Sequence, residues 1–260
     1  MEKIYPKSIT PFFCNQNTVL LYGDTFNILP KIKNDTVDMI FADPPYFLSN
    51  NGITCVSGKM VSVNKAVWDM GYSLKQKHTF NTRWIRMCKR ILKPDGTIWV
   101  SGTLHNIYSL GFALEEAGFK IINNITWKKT NPPPNLACRC FTHSTETILW
   151  AKKIGGKHRF NYDIMKALNG NKQMKDVWEG ALTKKSEKFA GKHPTQKPEY
   201  LLDIITQAST CEGDIILDPF CGSGTTGVVA NRLKRRFIGI DSVKEYLEIS
   251  RKRIEKVNNE

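Results

Sequence analysis

The sequence predicts an α/β fold with a mostly parallel central sheet and helices on both faces. Two observations carry this. Short apolar runs alternate with stretches of helical periodicity along almost the whole chain, and three of those runs stop abruptly at a loop bearing a carboxylate. Strands alternating with helices form βαβ units, and βαβ units pair their strands in parallel.

Thr18 to Tyr22, Thr-Val-Leu-Leu-Tyr, is the first strand; Gly23-Asp24 follows it, and a helix-like segment continues through Ile32. Val37 to Ala42 is the second strand and ends at Asp43-Pro44-Pro45-Tyr46. Phe47 to Lys77 has few periodic apolar positions and reads as a loop. From about His78 to Leu92 the apolar residues Trp84, Ile85, Cys88 and Ile91 share one helical face. Lys93-Pro94-Asp95-Gly96 reads as a turn, and Thr97 to Val100 as a strand. A helix from about Asn106 to Ala117 stops at Gly118, a C-cap residue. Phe119 to Trp127 and Thr145 to Ala151 are two further strands. The last third gives a helix from Lys197 to Thr210, a strand from Asp214 to Leu217 and the loop Asp218 to Thr226. A helix to about Leu233, a strand from Arg236 to Ile240 ending at Asp241, and a helix to about Lys256 complete it.

Composition narrows the class. A hydrophobic content of 41% supports a buried core. No apolar stretch approaches the roughly 20 residues that span a bilayer, and Met1 to Pro11 lacks the apolar run of a secretory signal. The expectation is a soluble, cytoplasmic protein. The cysteines number seven, an odd count, with no C-x-x-C pair, so reduced thiols and no metal site are expected. Net charge is +14, and residues 151–200 hold 12 Lys/Arg against 5 Asp/Glu, half of the excess in about a fifth of the chain. This basic stretch is interleaved with Phe160, Tyr162, Trp178 and Phe189, a composition that can neutralise phosphates and stack on bases. A solvated basic surface accounts for the charge equally well.

Ligands of an open parallel sheet bind beyond the carboxyl ends of its strands, and three features lie there. In the loop from Asp218 through Phe220, Gly222, Ser223 and Gly224 to Thr225, the glycines let backbone approach a ligand, and a helix N-terminus follows. Asp241, at the end of the next strand, can accept hydrogen bonds from ribose hydroxyls. The loop lacks the Gly-Lys-Ser/Thr ending of a phosphate-binding loop. The second feature is Asp43-Pro44-Pro45-Tyr46, where the prolines fix the backbone and remove two N–H donors. A carboxylate, a rigid carbonyl and an aromatic ring there suit a planar base with an amino group. A proline-stiffened loop capped by Asp43 is the plain alternative. The third is Asp24, a helix N-cap in isolation and an adenine partner if an adenosine-containing cofactor lies nearby.

Together these residues resemble the amino-methyltransferase family of DNA, whose members methylate N6 of adenine or N4 of cytosine. Asp43-Pro44-Pro45-Tyr46 matches the family's catalytic motif, Phe220 to Gly224 its F-x-G-x-G cofactor motif, and His193-Pro194-Thr195-Gln196-Lys197-Pro198 a segment preceding that motif in one branch. The catalytic motif lies first and the cofactor motif second, as in the β-group, a circular permutation of the common methyltransferase sheet. A closer likeness is to the second methylases of Dpn-type restriction systems, which act at GATC. It is carried by Phe41 to Asn50, Leu104 to Tyr108, Ala137 to Trp150 and Gly191 to Leu202.

The resemblance implies a Rossmann-like methyltransferase fold using S-adenosylmethionine, with a small target-recognition insertion. Residues 1–17 would be an N-terminal arm, 18–151 the catalytic half, 152–190 a basic DNA-contacting segment and 191–260 the cofactor-binding half. It implies that Asp43 and the Pro44 carbonyl bind the amino group of a flipped base, that Pro45 stiffens the loop, and that Tyr46 stacks on the base. Phe220, Gly222 and Gly224, with Asp218, Ser223 and Thr225 of the same loop, would line the cofactor, as would Asp43. Asp241 would hold its ribose, Asp24 its adenine end, and His193, Thr195 and Lys197 would border it, Thr195 and Lys197 at the methionine end. Lys184, Lys185 and Lys188 are the expected DNA contacts, beside the loop 47–77. Asn131-Pro132-Pro133-Pro134 either shapes the base pocket or is a plain connection. The partners implied are DNA and, from the β-group likeness, a second copy of the chain.

Three rivals stay in view. N4-cytosine methylation uses the same chemistry, although Ser commonly replaces Asp in that motif. Protein-glutamine methylation uses Asn-Pro-Pro-Tyr and the opposite motif order. A non-catalytic nucleic-acid-binding protein on this scaffold would carry a damaged motif, and both motifs here are intact. Cytosine-C5 chemistry needs a Pro-Cys pair, which the sequence lacks.

Overall fold

A computed structural model describes residues 4–47, 53–56, 59–62 and 73–259. In chain order the elements are β1 (Phe13–Cys14), β2 (Thr18–Tyr22), α1 (Thr25–Ile28), β3 (Val37–Ala42), β4 (Ile53–Val56), β5 (Lys59–Ser62) and α2 (Leu74–Ile91). There follow β6 (Leu92–Gly102), α3 (Ile107–Glu116), β7 (Phe119–Lys129), β8 (Thr145–Lys153), α4 (Tyr162–Leu168) and β9 (Val177–Gly180). The chain closes with α5 (Glu199–Ser209), β10 (Ile215–Asp218), α6 (Thr225–Arg232), β11 (Arg236–Asp241) and α7 (Lys244–Asn259).

Among the described residues nine strands form one sheet in the order β1-β2-β11-β10-β3-β6-β8-β7-β9. The stretch from β2 to β6 is parallel throughout, whereas β8 runs antiparallel to both β6 and β7. The central strands are buried on both faces and read as continuous apolar runs, as parallel strands must. Their side chains alternate between two cores. Ile40 and Ala42 pack with Trp84, Ile85 and Leu110 of α2 and α3, while Met39 and Phe41 pack with Leu202, Val229 and Ile254 of α5, α6 and α7. The cross-strand pair Trp99 and Trp150 stacks at 4.7 Å between β6 and β8.

The order of strands places the site. From β3 the chain crosses by α2 to β6 on one side; from β10 it crosses by α6 to β11 on the other. Adjacent β3 and β10, paired at Leu217 and Ile40, therefore flank the point where the winding reverses, where a crevice opens. Asp43 and Asp218, far apart in sequence, leave neighbouring strand ends there.

Several boundaries differ from the sequence expectation. The helix expected from about His78 starts at Leu74, because Ser73 and Gln76 form a reciprocal capping box; the loop expected to reach Lys77 ends one turn earlier. Residues 48–52, 57–58 and 63–72 of that loop lie outside the described residues, which include the paired strands β4 and β5. The turn expected at Lys93–Gly96 lies inside β6, absorbed as an irregularity between the pairs Val37–Leu92 and Met39–Thr97. The described part of the expected arm is docked: Ile4 and Tyr5 are buried in the core and β1 pairs with β2. The basic segment 152–190 is also tied in, with Met165 of α4 in the core and β9 extending the sheet beside β7. Among the described residues no helix is long and apolar enough to cross a membrane.

Candidate active site

Asp43 leaves the end of β3 into a pocket shared with the loop after β10, and the pocket wall draws on Pro44, Pro45, Tyr46, Asp218, Phe220, Gly222, Ser223 and Thr225. His193, Thr195 and Lys197 line it from the segment before α5; Asp24 and Asp241 line it from the ends of β2 and β11. Four strand ends and one connecting segment therefore converge on one cleft.

Gly222 and Gly224 both have left-handed backbone, φ 52° and 73°. A Cβ on Gly222 would meet His193 Nε2 at 2.9 Å, so the close approach in the pocket requires glycine. Gly224 corrects an expectation. It does not line the pocket: a Cβ there would strike Ser250 of α7 at 2.7 Å, so this glycine serves the packing of α6 on α7. Arg253, almost fully buried, braces the same turn by donating to Ser223 O (2.8 Å) and Thr225 Oγ1 (2.9 Å), and its charge meets Glu199 at 2.9 Å.

The carboxylates have separate surroundings. Asp24 is the N-cap of α1, its Oδ1 accepting from Phe26 N at 2.6 Å, and it also lines the pocket. Asp241 accepts from Gly222 N (2.8 Å) and Val243 N (2.9 Å), which fixes it beside the glycine loop. Burial raises the Asp241 carboxyl above the ordinary range. Asp218 is buried, accepting from Phe220 N (3.0 Å) and Thr226 Oγ1 (2.6 Å), and burial pushes it up to about 7. Cys221 also lines the pocket. Burial, with Asp218 and Asp241 nearby, keeps its thiol well above the usual range, so it is no nucleophile near neutral pH.

At the other end lies a charged cluster. Tyr46 Oη donates to Asp43 Oδ1 at 2.5 Å and is 3.1 Å from Ser101 Oγ. Lys197 Nζ donates to Asp43 Oδ1 (2.9 Å), to Asp43 Oδ2 (2.8 Å) and to Tyr46 Oη (2.8 Å), and lies 3.3 Å from Glu146. Glu146 also pairs with Lys129 at 2.7 Å. The four charged side chains are 9–15% exposed, which makes this a buried network. Burial alone would pull the Lys197 ammonium down; Asp43 and Glu146 outweigh it and hold Lys197 well above the lysine range. Burial would likewise raise Glu146, but Lys197 and Lys129 bring it below the ordinary value. Burial and Asp43 raise the Tyr46 hydroxyl, which stays protonated. Lys197 lines the pocket with Thr195, and its ammonium is held by Asp43 and Glu146.

Sequence reading missed Glu146, Ser101, Lys129 and Arg253. Glu146 reaches the site because β8 is antiparallel, so its first residues lie where β6 ends; the signal was one carboxylate opening an apolar strand. The wall formed by Phe26, Phe80 and Phe220 was half seen. Phe80 meets Phe26 edge-on at 5.1 Å and Phe220 at 6.3 Å.

Lys184, Lys185 and Lys188 are exposed and stand outside the pocket on a short 3₁₀ turn. That turn is tethered beside the site: Thr183 Oγ1 donates to Gln196 O (2.5 Å) and Gln196 Nε2 to Glu187 O (2.8 Å). Asn131-Pro132-Pro133-Pro134 lies outside the pocket lining, with Asn131 Oδ1 accepting from Leu182 N at 2.9 Å.

This donor set fits S-adenosylmethionine: aromatic walls for a purine, carboxylates for hydroxyl and amino groups, and a loop that a Cβ would close.

Comparison with known proteins agrees in kind. The family model described as DNA methylase, of the N6/N4 type, matches residues 37–252. Type II methyltransferase M2.DpnII of Streptococcus pneumoniae is 65% identical over 250 residues, covering 95% of this chain and 93% of its own. Type II methyltransferase M2.MboI of Moraxella bovis is 48% identical, covering 96% and 92%. Among solved structures, the M1.HpyAVI–SAM complex has a TM-score of 0.67 at 30% identity and covers 91% of this chain and 98% of its own. The cytosine-N4-specific PvuII DNA methyltransferase reaches 0.76 at 19% identity, covering 96% and 93%, a likeness of fold alone.

Proposed function

Because the chain belongs to the DNA methylase family, and is a DNA methyltransferase with S-adenosylmethionine as cofactor, we propose that it methylates the N6 amino group of adenine, with Asp43 and the Pro44 carbonyl receiving that group. The observation that carries this reading is the common pocket of the Asp43 strand end and the Gly222 loop.

S-adenosylmethionine, when bound, supplies a methyl on a sulfonium, already a strong electrophile. The exocyclic amine is a poor nucleophile because its lone pair is delocalised into the ring. Two acceptors out of the ring plane, the Asp43 carboxylate and the Pro44 carbonyl, favour a pyramidal nitrogen and localise that pair. Positive charge then grows on the nitrogen beside the Asp43 carboxylate, which stabilises it. The remaining contribution is positioning: Asp241 and Asp24 hold the two ends of the nucleoside, the backbone at Gly222 lies against it, and Phe220 gives an apolar wall. Thr195 and His193 border the same space. Tyr46 offers a ring at the base site, with its hydroxyl anchored on Asp43.

The target base is extruded from the duplex, since its amino group cannot reach Asp43 while paired. Lys184, Lys185 and Lys188 meet the DNA backbone. The likeness to M2.DpnII, a Type II methyltransferase, supports a role in a restriction–modification system; we further propose GATC as the target, the cytoplasm as the location and, from the β-group resemblance, a homodimer. N4-cytosine methylation is the second reading, since the matched family covers both N6 and N4 methylases. Transfer of tritium from labelled cofactor to GATC-containing duplex, followed by digestion to nucleosides, tests the assignment. N6-methyl-2′-deoxyadenosine in the product supports it; label on deoxycytidine, or none on DNA, rejects it.

A further inference from the structure

The proposed chemistry leaves one group unexplained. Asp43 is meant to receive an amine and to face a developing cation, yet the Lys197 ammonium already lies on both of its oxygens, at 2.9 and 2.8 Å. A fully engaged ammonium would neutralise the carboxylate and occupy the lone pairs that the amine needs. Among the described residues Oδ1 accepts from two donors, Tyr46 and Lys197, and Oδ2 from Lys197 alone. Each carboxylate oxygen offers about two acceptor sites, so Oδ2 retains one.

Glu146 changes this balance. It stands 3.3 Å from the same ammonium and 3.5 Å from Tyr46 Oη, and is itself held by Lys129 at 2.7 Å. The network alternates in sign, Lys129, Glu146, Lys197, Asp43, and its formal charge is zero. We propose that Glu146 is a positioning residue that acts through Lys197: it shares the ammonium with Asp43, so that Asp43 keeps an open acceptor on Oδ2 and enough negative charge to favour methyl transfer. This rests on the assignment of Asp43 as the amine acceptor.

The alternative is that Glu146 merely neutralises two buried lysines. Position argues against a purely structural role. β8 runs antiparallel, which brings Glu146 to the end of the sheet where β3 and β6 deliver Asp43 and Ser101, and Tyr46 Oη lies between them, 3.1 Å from Ser101 Oγ. Without Glu146, Lys197 has Asp43 as its remaining carboxylate partner in the cluster, and Lys129 adds an unbalanced charge. Both changes oppose a cationic transition state while leaving the rest of the pocket wall intact.

The test is a double-mutant cycle in the whole protein, read as kcat and as KM for cofactor and for DNA. Glu146→Gln should lower kcat about 30-fold or more with each KM within about threefold, and Glu146→Asp, whose shorter carboxylate stands farther from the ammonium, should recover at least a third of the loss on a logarithmic scale but not all of it. In a Lys197→Gln background, Glu146→Gln should cost less than about threefold, because its route of action is gone. The inference is overturned if Glu146→Gln keeps wild-type kcat, or if its cost is the same with and without Lys197. Should Glu146→Gln melt too low to assay, the decision passes to Glu146→Asp: wild-type kcat, or a rise in both KM values instead of a fall in kcat, overturns it. Wild-type protein that transfers no methyl to adenine would instead remove the underlying assignment, a distinguishable failure.

Discussion

Asp43 is the residue on which chemistry and electrostatics meet most directly. Its carboxylate receives the Tyr46 hydroxyl and the Lys197 ammonium. Asp43→Asn should therefore remove charge at the point where the amine becomes cationic, and kcat should fall by about 10²–10³, the scale seen when one preorganised electrostatic group is lost. Folding should be weakened as well, because the buried cluster then holds two lysines, Lys197 and Lys129, against Glu146 alone. Single-turnover methyl transfer with thermal melting alongside separates the two effects. Asp218 makes the opposite case, a carboxyl whose value is in its proton. Folding raises it from 3.8 to about 7 by burial. The native state then holds a proton that the unfolded chain has already released. The contribution to stability is complete below pH 3.8 and declines as pH rises to about 7, with a limiting slope of about 1.4 kcal/mol per pH unit. Asp218→Asn, neutral and of the same shape, should remove that decline; parallel melting curves for both proteins across pH 4–8 would contradict it.

Among the elements, α2 and α6 depend on their first residues. Ser73 and Gln76 satisfy two otherwise orphaned N–H groups at the start of α2, so Ser73→Ala should cost about 1 kcal/mol in denaturant unfolding. Gly224→Ala should cost more, about 1–3 kcal/mol, since it adds a left-handed non-glycine residue and a Cβ that meets Ser250 at 2.7 Å. The two variants also show how unevenly the elements were legible. The strands β2, β3, β10 and β11 were readable within a few residues, because buried parallel strands must be continuous apolar runs; β7 and β8, paired antiparallel, were readable from the apolar residues near their middles. The Ser73 cap was equally present in the sequence, but a polar loop ahead of it masked the start of the helix. β9 was invisible: four residues at a sheet edge, half of them exposed, leave no periodicity to read. The site divides in the same way. Residues of the pocket wall that leave strand ends in short motifs, Asp43 to Tyr46 and Phe220 to Ser223, could be named in advance. Glu146 and Arg253 could not, since their importance comes from antiparallel pairing and helix packing that bring distant segments together.

At the scale of the molecule, the winding and part of the charge point to the same end of the sheet. The reversal between β3 and β10 fixes where the reaction can occur; the basic segment 152–190 is not a separate lobe but starts at the opposite end, where Arg159 pairs with Asp214 ahead of β10, and reaches the site's end through β9 and the turn that follows it. Met165 anchors it in the core, β9 extends the sheet, and the turn bearing Lys184, Lys185 and Lys188 is bonded to the segment containing Lys197. Exposed lysines on a tethered turn should make definite phosphate contacts, each displacing condensed counterions and steepening the salt dependence by about 0.9 in log–log slope. Replacing all three with Ala should therefore weaken DNA binding at low salt and flatten the slope by about 2–3, while affinity for cofactor stays as in wild type because none of the three lines the pocket. Filter binding at a series of salt concentrations measures both quantities. An unchanged slope would move the DNA path off this turn, to the loop 47–77 or the connection between β7 and β8, and would leave the pocket chemistry untouched.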